Sequence, residues 1–254
     1  MIELQNLTIG YRRSLGHPCH VVASGITASL GSGSFTLLLG ANGSGKSTLM
    51  RTMYGSQPSL DGKIFIDKTD AEKITGNTKS RLISIVTSNA PIIGNITVFE
   101  MVAFGRYPYI NAFGKIQDTD NDVIMKSLQQ MGIEHLSNRL FSAISDGERQ
   151  KTMIAKSLAQ HTPYILMDEP MAFLDYRSRI EMMEMLVDMT HKHDKGILLS
   201  THNLEMALQM ADKLWVFDTN KQFCETTMQH LFESNMLGKL FDEKTVGYIE
   251  RFYR

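Results

Sequence analysis

Residues 34–50 read SFTLLLGANGSGKSTLM, and this stretch restricts the possible folds more than any other in the chain. An apolar run ends in glycines and passes straight into a helical pattern. That places G-x-x-x-x-G-K-[ST] at Gly40, Gly45, Lys46 and Ser47, between a buried strand and a helix. Glycines let the backbone wrap tightly, so that loop N–H groups and the helix N-terminus face phosphate oxygens. The candidate cradle is Gly40, Ala41, Asn42, Gly43, Ser44, Gly45, Lys46, Ser47 and Thr48. Within it Lys46 can reach β- and γ-phosphates, and the Ser47 hydroxyl can ligate Mg²⁺. Gly31-Ser32-Gly33, just upstream, lacks the lysine and reads as a plain turn.

Around this loop the chain alternates short branched apolar runs with helical patterns. Predicted strands cover Ile2–Ile9, Val21–Leu30, Ser34–Leu39, Lys63–Asp67, Leu82–Val86, Tyr164–Met167, Ile197–Ser200 and Lys213–Phe217. The early ones cluster, which predicts an N-terminal antiparallel β region. The later ones alternate with helices, which predicts a parallel sheet. From about 89 to 160 no strand pattern appears, and an inserted, mainly helical subdomain is expected. Asp175–His193 reads as a further helix with Ile180, Met183, Leu186 and Val187 on one face. The stretch from Lys221 to Arg254 gives only weak helical signals, so it is read as a helical C-terminal extension to a main domain spanning 1–220.

Two further segments carry chemistry. In YILMDEP, residues 164–170, a hydrophobic strand ends in two carboxylates. Asp168 is placed to hold Mg²⁺, directly or through water, and Glu169 to orient or deprotonate an attacking water. In ILLSTHNL, His202 follows a strand expected beside that of Asp168, from where it could contact a γ-phosphate.

Bulk properties exclude several classes. With 254 residues, 43% hydrophobic and 21% charged, the chain suits one large globular domain. A net charge of −1 gives no footprint for nucleic acid, and no nucleic-acid partner is expected. The apolar runs LLL, YILM and ILL fall far short of the roughly 18 residues of a spanning helix. MIELQNLTIG lacks the basic start and apolar run of a signal peptide, and Cys19 and Cys224 suggest no disulfide framework. A cytoplasmic chain is expected, held by another polypeptide if it works at a membrane.

The deciding segment is ISDGERQKTMIAKSLAQ, residues 144–160. Together with GANGSGKST, YILMDEP, AFLD at 172–175 and STH at 200–202, its order and spacing resemble the nucleotide-binding subunits of ABC transporters, over about 2–217. The resemblance implies an α/β fold with a P-loop NTPase (RecA-like) core, bound ATP and Mg²⁺, and ATP hydrolysis. It implies that Tyr11 stacks on adenine, that Ser145 and Gly147 face the γ-phosphate held by an opposite subunit, and that Asp175 lies at the dimer interface. One phosphate loop and one signature per chain imply a second ATPase subunit, most simply a second copy. Other implied partners are transmembrane permease subunits and, indirectly, a substrate-binding protein, with the chain peripheral on the inner face of the membrane.

VFEMVAFGRYPY at 98–109, SDGERQ and DEPMAFLD resemble importers of the iron–siderophore, haem and vitamin B12 type. A non-transport ABC ATPase, for example in cofactor assembly, is the alternative. There are two departures from the family pattern. Asp146 replaces the first of two signature glycines, and a carboxylate beside phosphate is unfavourable unless it points away. Ser88, followed by Asn89, stands where the family carries a Mg²⁺-contacting glutamine; either could coordinate weakly or through water.

Other patterns are read as structural. Asp118, Asp120 and Asp122 open like a calcium loop, but Val123 replaces the required glycine, and helix capping is expected instead. His17, Cys19 and His20 have no second cluster to complete a metal site. The 17 methionines are expected to fill core and interfaces.

Overall fold

The computed structural model describes residues 1–12, 19–87, 94–110, 116–201, 210–233, 237–240 and 246–247. Two sheets organise it. The N-terminal sheet is antiparallel, in the order β2 (His20–Leu30), β1 (Ile2–Tyr11), β4 (Asp61–Ile66), β5 (Thr69–Asp70). The main sheet runs β10 (Phe223–Thr226), β9 (Lys213–Phe217), β3 (Phe35–Leu39), β8 (Gly196–Ser200), β7 (Tyr164–Asp168), β6 (Ile83–Val86). All its neighbours are parallel except β10, which pairs antiparallel to β9.

Strand periodicity divides the core. Leu37, Leu39, Ile165, Met167, Ile197 and Leu199 point to one face of the main sheet, where α3 (Val98–Ala103), α4 (Asp118–Gln130), α5 (Asp146–Ala159) and α6 (Tyr176–His193) contribute to the same apolar cluster. Leu38, Leu166, Leu198 and Trp215 point the other way, into a second cluster with the N-terminal sheet and α1 (Lys46–Tyr54). Both faces are therefore covered, which is why β3, β7 and β8 are buried throughout and nearly all apolar rather than alternating.

The structure adds to the strand pattern in three places. Asp67 and Lys68 both have positive φ, 47° and 67°, and join β4 to β5 as a two-residue hairpin, so the strand ends at Ile66. Residues 76–82 form a helix, α2, capped by Thr75, before β6 begins at Ile83. The expected helical extension from 221 begins instead with β10 and only then enters α7 (Met228–Glu233). This strand is short, and its anchor is a tertiary one: Glu225 accepts from Trp215 Nε1 at 2.8 Å, from Ser29 N at 2.8 Å and from Lys213 Nζ at 2.9 Å.

Between 94 and 160 the described residues hold helices and one isolated bridge, Thr97–Leu140. Here GRYPY forms a 3-10 turn at 104–109. Gly105 is required by close approach, since a Cβ there would lie 2.3 Å from the Lys156 carbonyl. Arg106 pairs with Asp120 at 2.8 Å and lies 4.1 Å from the Tyr109 ring centre, while Tyr107 is 62% exposed. Asp120 also accepts from the Gln117 N–H, so of the three aspartates this one helps to cap α4.

Candidate functional site

The phosphate loop leaves the fully buried β3 and enters α1. Gly40 and Gly45 have φ of +153° and +114°, values that a side chain tolerates poorly. A Cβ at Gly40 would meet Ser44 Oγ at 2.6 Å, and one at Gly45 would meet Val22 Cγ1 at 2.8 Å. The loop is thus closed by contacts only glycine permits. Gly45 is the N-cap of α1 and no side chain caps the helix, so the first-turn N–H groups of Lys46, Ser47 and Thr48 are left to a ligand. The Ser44 hydroxyl is buried with no hydrogen-bond partner. Lys46 Nζ donates to the carbonyls of Gly40 at 2.6 Å and Ala41 at 3.1 Å. Burial lowers the Lys46 pKa, against the opposing pull of Glu169 and Asp168.

These groups open on a cavity of about 290 Å³. Asn42, Gly43, Gly45, Lys46, Ser47 and Thr48 form one wall, and Glu169 and Tyr11 stand on others. Tyr11 ends β1, is 48% exposed, and its hydroxyl lies 3.5 Å from Thr48 Oγ1. His20 and Val22 of β2 also line the cavity, a role the sequence reading did not assign them. The available signal is strand register: Tyr11 pairs with His20, and their rings stack 6.5 Å apart at 20°.

The carboxylates come from β7. Asp168 is its last residue, 7% exposed, and its Oδ1 accepts from Ser200 Oγ at 2.7 Å. Ser200 ends β8, directly beside Asp168 in the sheet register. Glu169 follows at a φ of +50°, a left-handed conformation rare outside glycine, and its N–H donates to both Ser200 O and Ser200 Oγ at 3.1 Å. Glu169 lines the cavity, whereas Asp168 is not among its lining residues.

Ser145 and Gly147 are not part of this cavity among the described residues. Ser145 caps α5 in a full capping box: it accepts from Glu148 N at 3.3 Å, and Glu148 Oε2 accepts from Ser145 N at 2.8 Å. Asp146 turns to Arg149, 2.7 Å away, so its carboxylate is directed along its own helix. Gly147 lies against the segment after Glu169: a Cβ there would meet Phe173 O at 3.1 Å. Asp175 caps α6, accepting from Ser178 N at 2.9 Å, between the exposed Phe173 and Tyr176. Ser88, Asn89 and His202 lie outside the described residues.

Fold and cavity together define a P-loop nucleotide-binding cassette: a parallel core sheet, a glycine-built phosphate cradle at the end of β3, and a carboxylate pair at the end of β7. The ABC transporter family profile matches residues 23–172. The chain is 30% identical over 250 residues to an uncharacterized ABC transporter ATP-binding protein of Methanocaldococcus jannaschii, covering 98% of this chain and 84% of that one. It is 30% identical over 232 residues to the ferric enterobactin transport ATP-binding protein FepC of Escherichia coli K12, covering 91% and 86%. Among solved structures, a metal-chelate type ABC transporter in an inward-facing conformation aligns with a TM-score of 0.79 at 25% identity, over 94% of this chain and 88% of that one. The chain belongs to the ABC transporter family.

Proposed function

We propose that this chain is the ATP-hydrolysing subunit that energises import through a membrane ABC transporter of the iron–siderophore, haem or cobalamin type. The observation that carries the reading is the single cavity shared by Lys46, Ser47, Tyr11 and Glu169. Its relatives act in ferric enterobactin transport and in a metal-chelate type transporter, which supports the cargo class.

ATP would lay its adenine on Tyr11 and its phosphates in the Gly40–Thr48 cradle, where unfilled N–H groups and the buried Ser44 hydroxyl suit phosphate oxygens. The residues present also fit Mg²⁺, a hard cation that takes oxygen ligands: the Ser47 hydroxyl and the Asp168 carboxylate would hold it, directly or through water. When bound, it supplies charge neutralisation to the β- and γ-phosphates. Ser200 orients Asp168 for this task. Glu169 holds and deprotonates the attacking water, and His202 contacts the γ-phosphate. Ser145 and Gly147 complete the site of a second, identical subunit. No described helix is long and apolar enough to cross a membrane. On this reading the chain acts through permease subunits on the inner face of the membrane, and indirectly with a substrate-binding protein. Closure of the ATPase pair moves the permease, and hydrolysis reopens it.

Glu169→Gln tests the assignment. It removes the base without changing shape, and single-turnover hydrolysis should fall about 10²–10⁴-fold while ATP still binds. Unchanged single-turnover hydrolysis would sink the reading.

A further inference from the structure

A second cavity, of about 350 Å³, lies at the other end of β7 from Glu169. His161 and Thr162 come just before β7, and Lys195 just before β8, so it faces the starts of strands whose ends carry the nucleotide site. Five residues of strand separate the two, roughly 17 Å. The cavity is bounded by α4, the α5–β7 turn, and the C-terminal end of α6 with the start of β8.

Its lining is charged in one sense only. Lys126, His161, His193 and Lys195 converge on it, and no described lining residue is acidic. Several neighbouring basic groups have carboxylate partners: Lys192 pairs with Asp188, His191 with Asp212 and Arg106 with Asp120. Among the described residues Lys126, His161, His193 and Lys195 have none. The C-terminal ends of α4, α5 and α6 point to this region, and their partial negative charge favours nearby cations. This accounts for single residues, such as Lys195, whose Nζ donates to Thr162 O at 2.7 Å. It does not account for two lysines and two imidazoles lining one space with no acid among them. Lys126, His161 and His193 are exposed, and burial of part of the His161 ring, and then Lys195, Arg106 and Lys126, lower its pKa, so its neutral form is favoured in the absence of an anion. The rest of the wall is suited to a small organic molecule. Ser157 and Thr162 bring hydroxyls already joined through Ser84, at 2.7 and 3.0 Å, while Leu158, Ile165 and Met189 add apolar surface.

We propose that this cavity is a second ligand site, separate from the phosphate loop, for a small organic anion carrying a phosphate or several carboxylates. A bound anion would tie α4 to the turns that feed β7 and β8. The class follows from the shared chemistry: two lysines and two imidazoles around hydroxyls and a partly apolar wall, in a space within the range of small-molecule sites.

The test is histidine-selective NMR on the full chain, titrated with pyrophosphate and, separately, with citrate. It is run on the unmodified chain and on Lys46→Ala, which weakens phosphate binding at the phosphate loop. The resonances of His161 and His193 should shift saturably in both proteins, with the His161 titration midpoint moving up as the anion binds. Saturation by either probe upholds the site, and the tighter probe tells phosphate from carboxylate ligands. Lys195→Met should weaken binding about tenfold. Lys126→Gln, on an exposed turn of α4, should do the same without touching the Lys195–Thr162 bond. The proposal is overturned by the absence of a saturable shift, by a shift lost in Lys46→Ala, or by unchanged affinity in both lysine variants.

Discussion

Two helices of this chain begin at segments to which the proposed function gives a role, α1 after the phosphate loop and α5 at Ser145, and they begin in opposite ways. At α1 the N-cap is Gly45, no side chain caps, and the first turn holds no acid. At α5 the N-cap is Ser145, the capping box is complete, and Asp146 and Glu148 stand in the first turn. A helix N-terminus carries partial positive charge and unfilled N–H groups. The first helix keeps both for a ligand within its own chain. The second satisfies its own first turn while the chain is alone. The phosphate loop thus keeps its helix end open within its own chain, whereas under the proposed function Ser145 would share or exchange its bond to Glu148 on meeting another subunit's nucleotide.

Changes that close the end of α1 should have the largest effects on binding. Gly45→Ala puts a Cβ 2.8 Å from Val22 Cγ1 at a φ of +114°. Strained backbone of this kind costs about 1–3 kcal/mol, and relief requires the loop to move. ATP affinity, measured by equilibrium dialysis, should fall at least about a hundredfold, or about 2.7 kcal/mol. Wild-type affinity in this variant would mean that the loop geometry is not what holds the phosphates. Lys46→Ala leaves the backbone cradle intact and removes only the ammonium. Charge-assisted hydrogen bonds contribute about 1.5–3 kcal/mol, so affinity should drop about ten- to a hundredfold; a larger loss than in Gly45→Ala would reverse the ranking of backbone over side chain.

The same contrast explains what could be read in advance. The phosphate loop was legible because its constraint is local: glycines at fixed spacing report backbone conformations that few other residues adopt. The core strands β3, β7 and β8 were legible because burial on both faces removes polar residues. Asp168 and Glu169 were legible as a pair, but not the positive φ at Glu169, which depends on Ser200 in the neighbouring strand. β10 was missed because four residues, FCET, carry little pattern, and its anchor is Glu225 reaching Trp215 and Ser29. His20 was weighed as a metal ligand, whereas register with Tyr11 makes it a wall of the nucleotide cavity. The basic cavity could not be read at all, since Lys126 comes from α4 and His161 and Lys195 from the turns before β7 and β8, and they meet only through tertiary packing.

Weaker changes at α5 should sharpen the comparison. Ser145→Ala removes the cap, which costs about 1 kcal/mol and should lower the melting temperature by about 2–4 °C for a chain of this size. ATP binding by the isolated chain should be unaffected, because Ser145 is absent from the Tyr11–Glu169 cavity. Steady-state hydrolysis, which on the proposed function needs the paired subunits, should fall. If binding by the isolated chain weakened as much as in Lys46→Ala, the two ends would not be separate half-sites.

The smallest effect concerns Glu148. The Ser145 N–H and then its hydroxyl hold the Glu148 carboxyl below the ordinary glutamate value. A depressed pKa means that the ionised form is favoured in the folded chain. Its contribution is complete above the unfolded glutamate pKa and disappears as pH falls through the lower, folded one. The carboxylate is largely exposed, so salt and solvent keep the contribution small. Thermal melts of the unmodified chain and of Glu148→Gln, compared from neutral pH downward, should converge below that window, where the unmodified residue also becomes neutral. A difference that stayed constant down to strongly acid pH would mean that the box is held by shape and not by charge. In that case the acid in the first turn of α5 would no longer distinguish it from α1, and only the serine cap would.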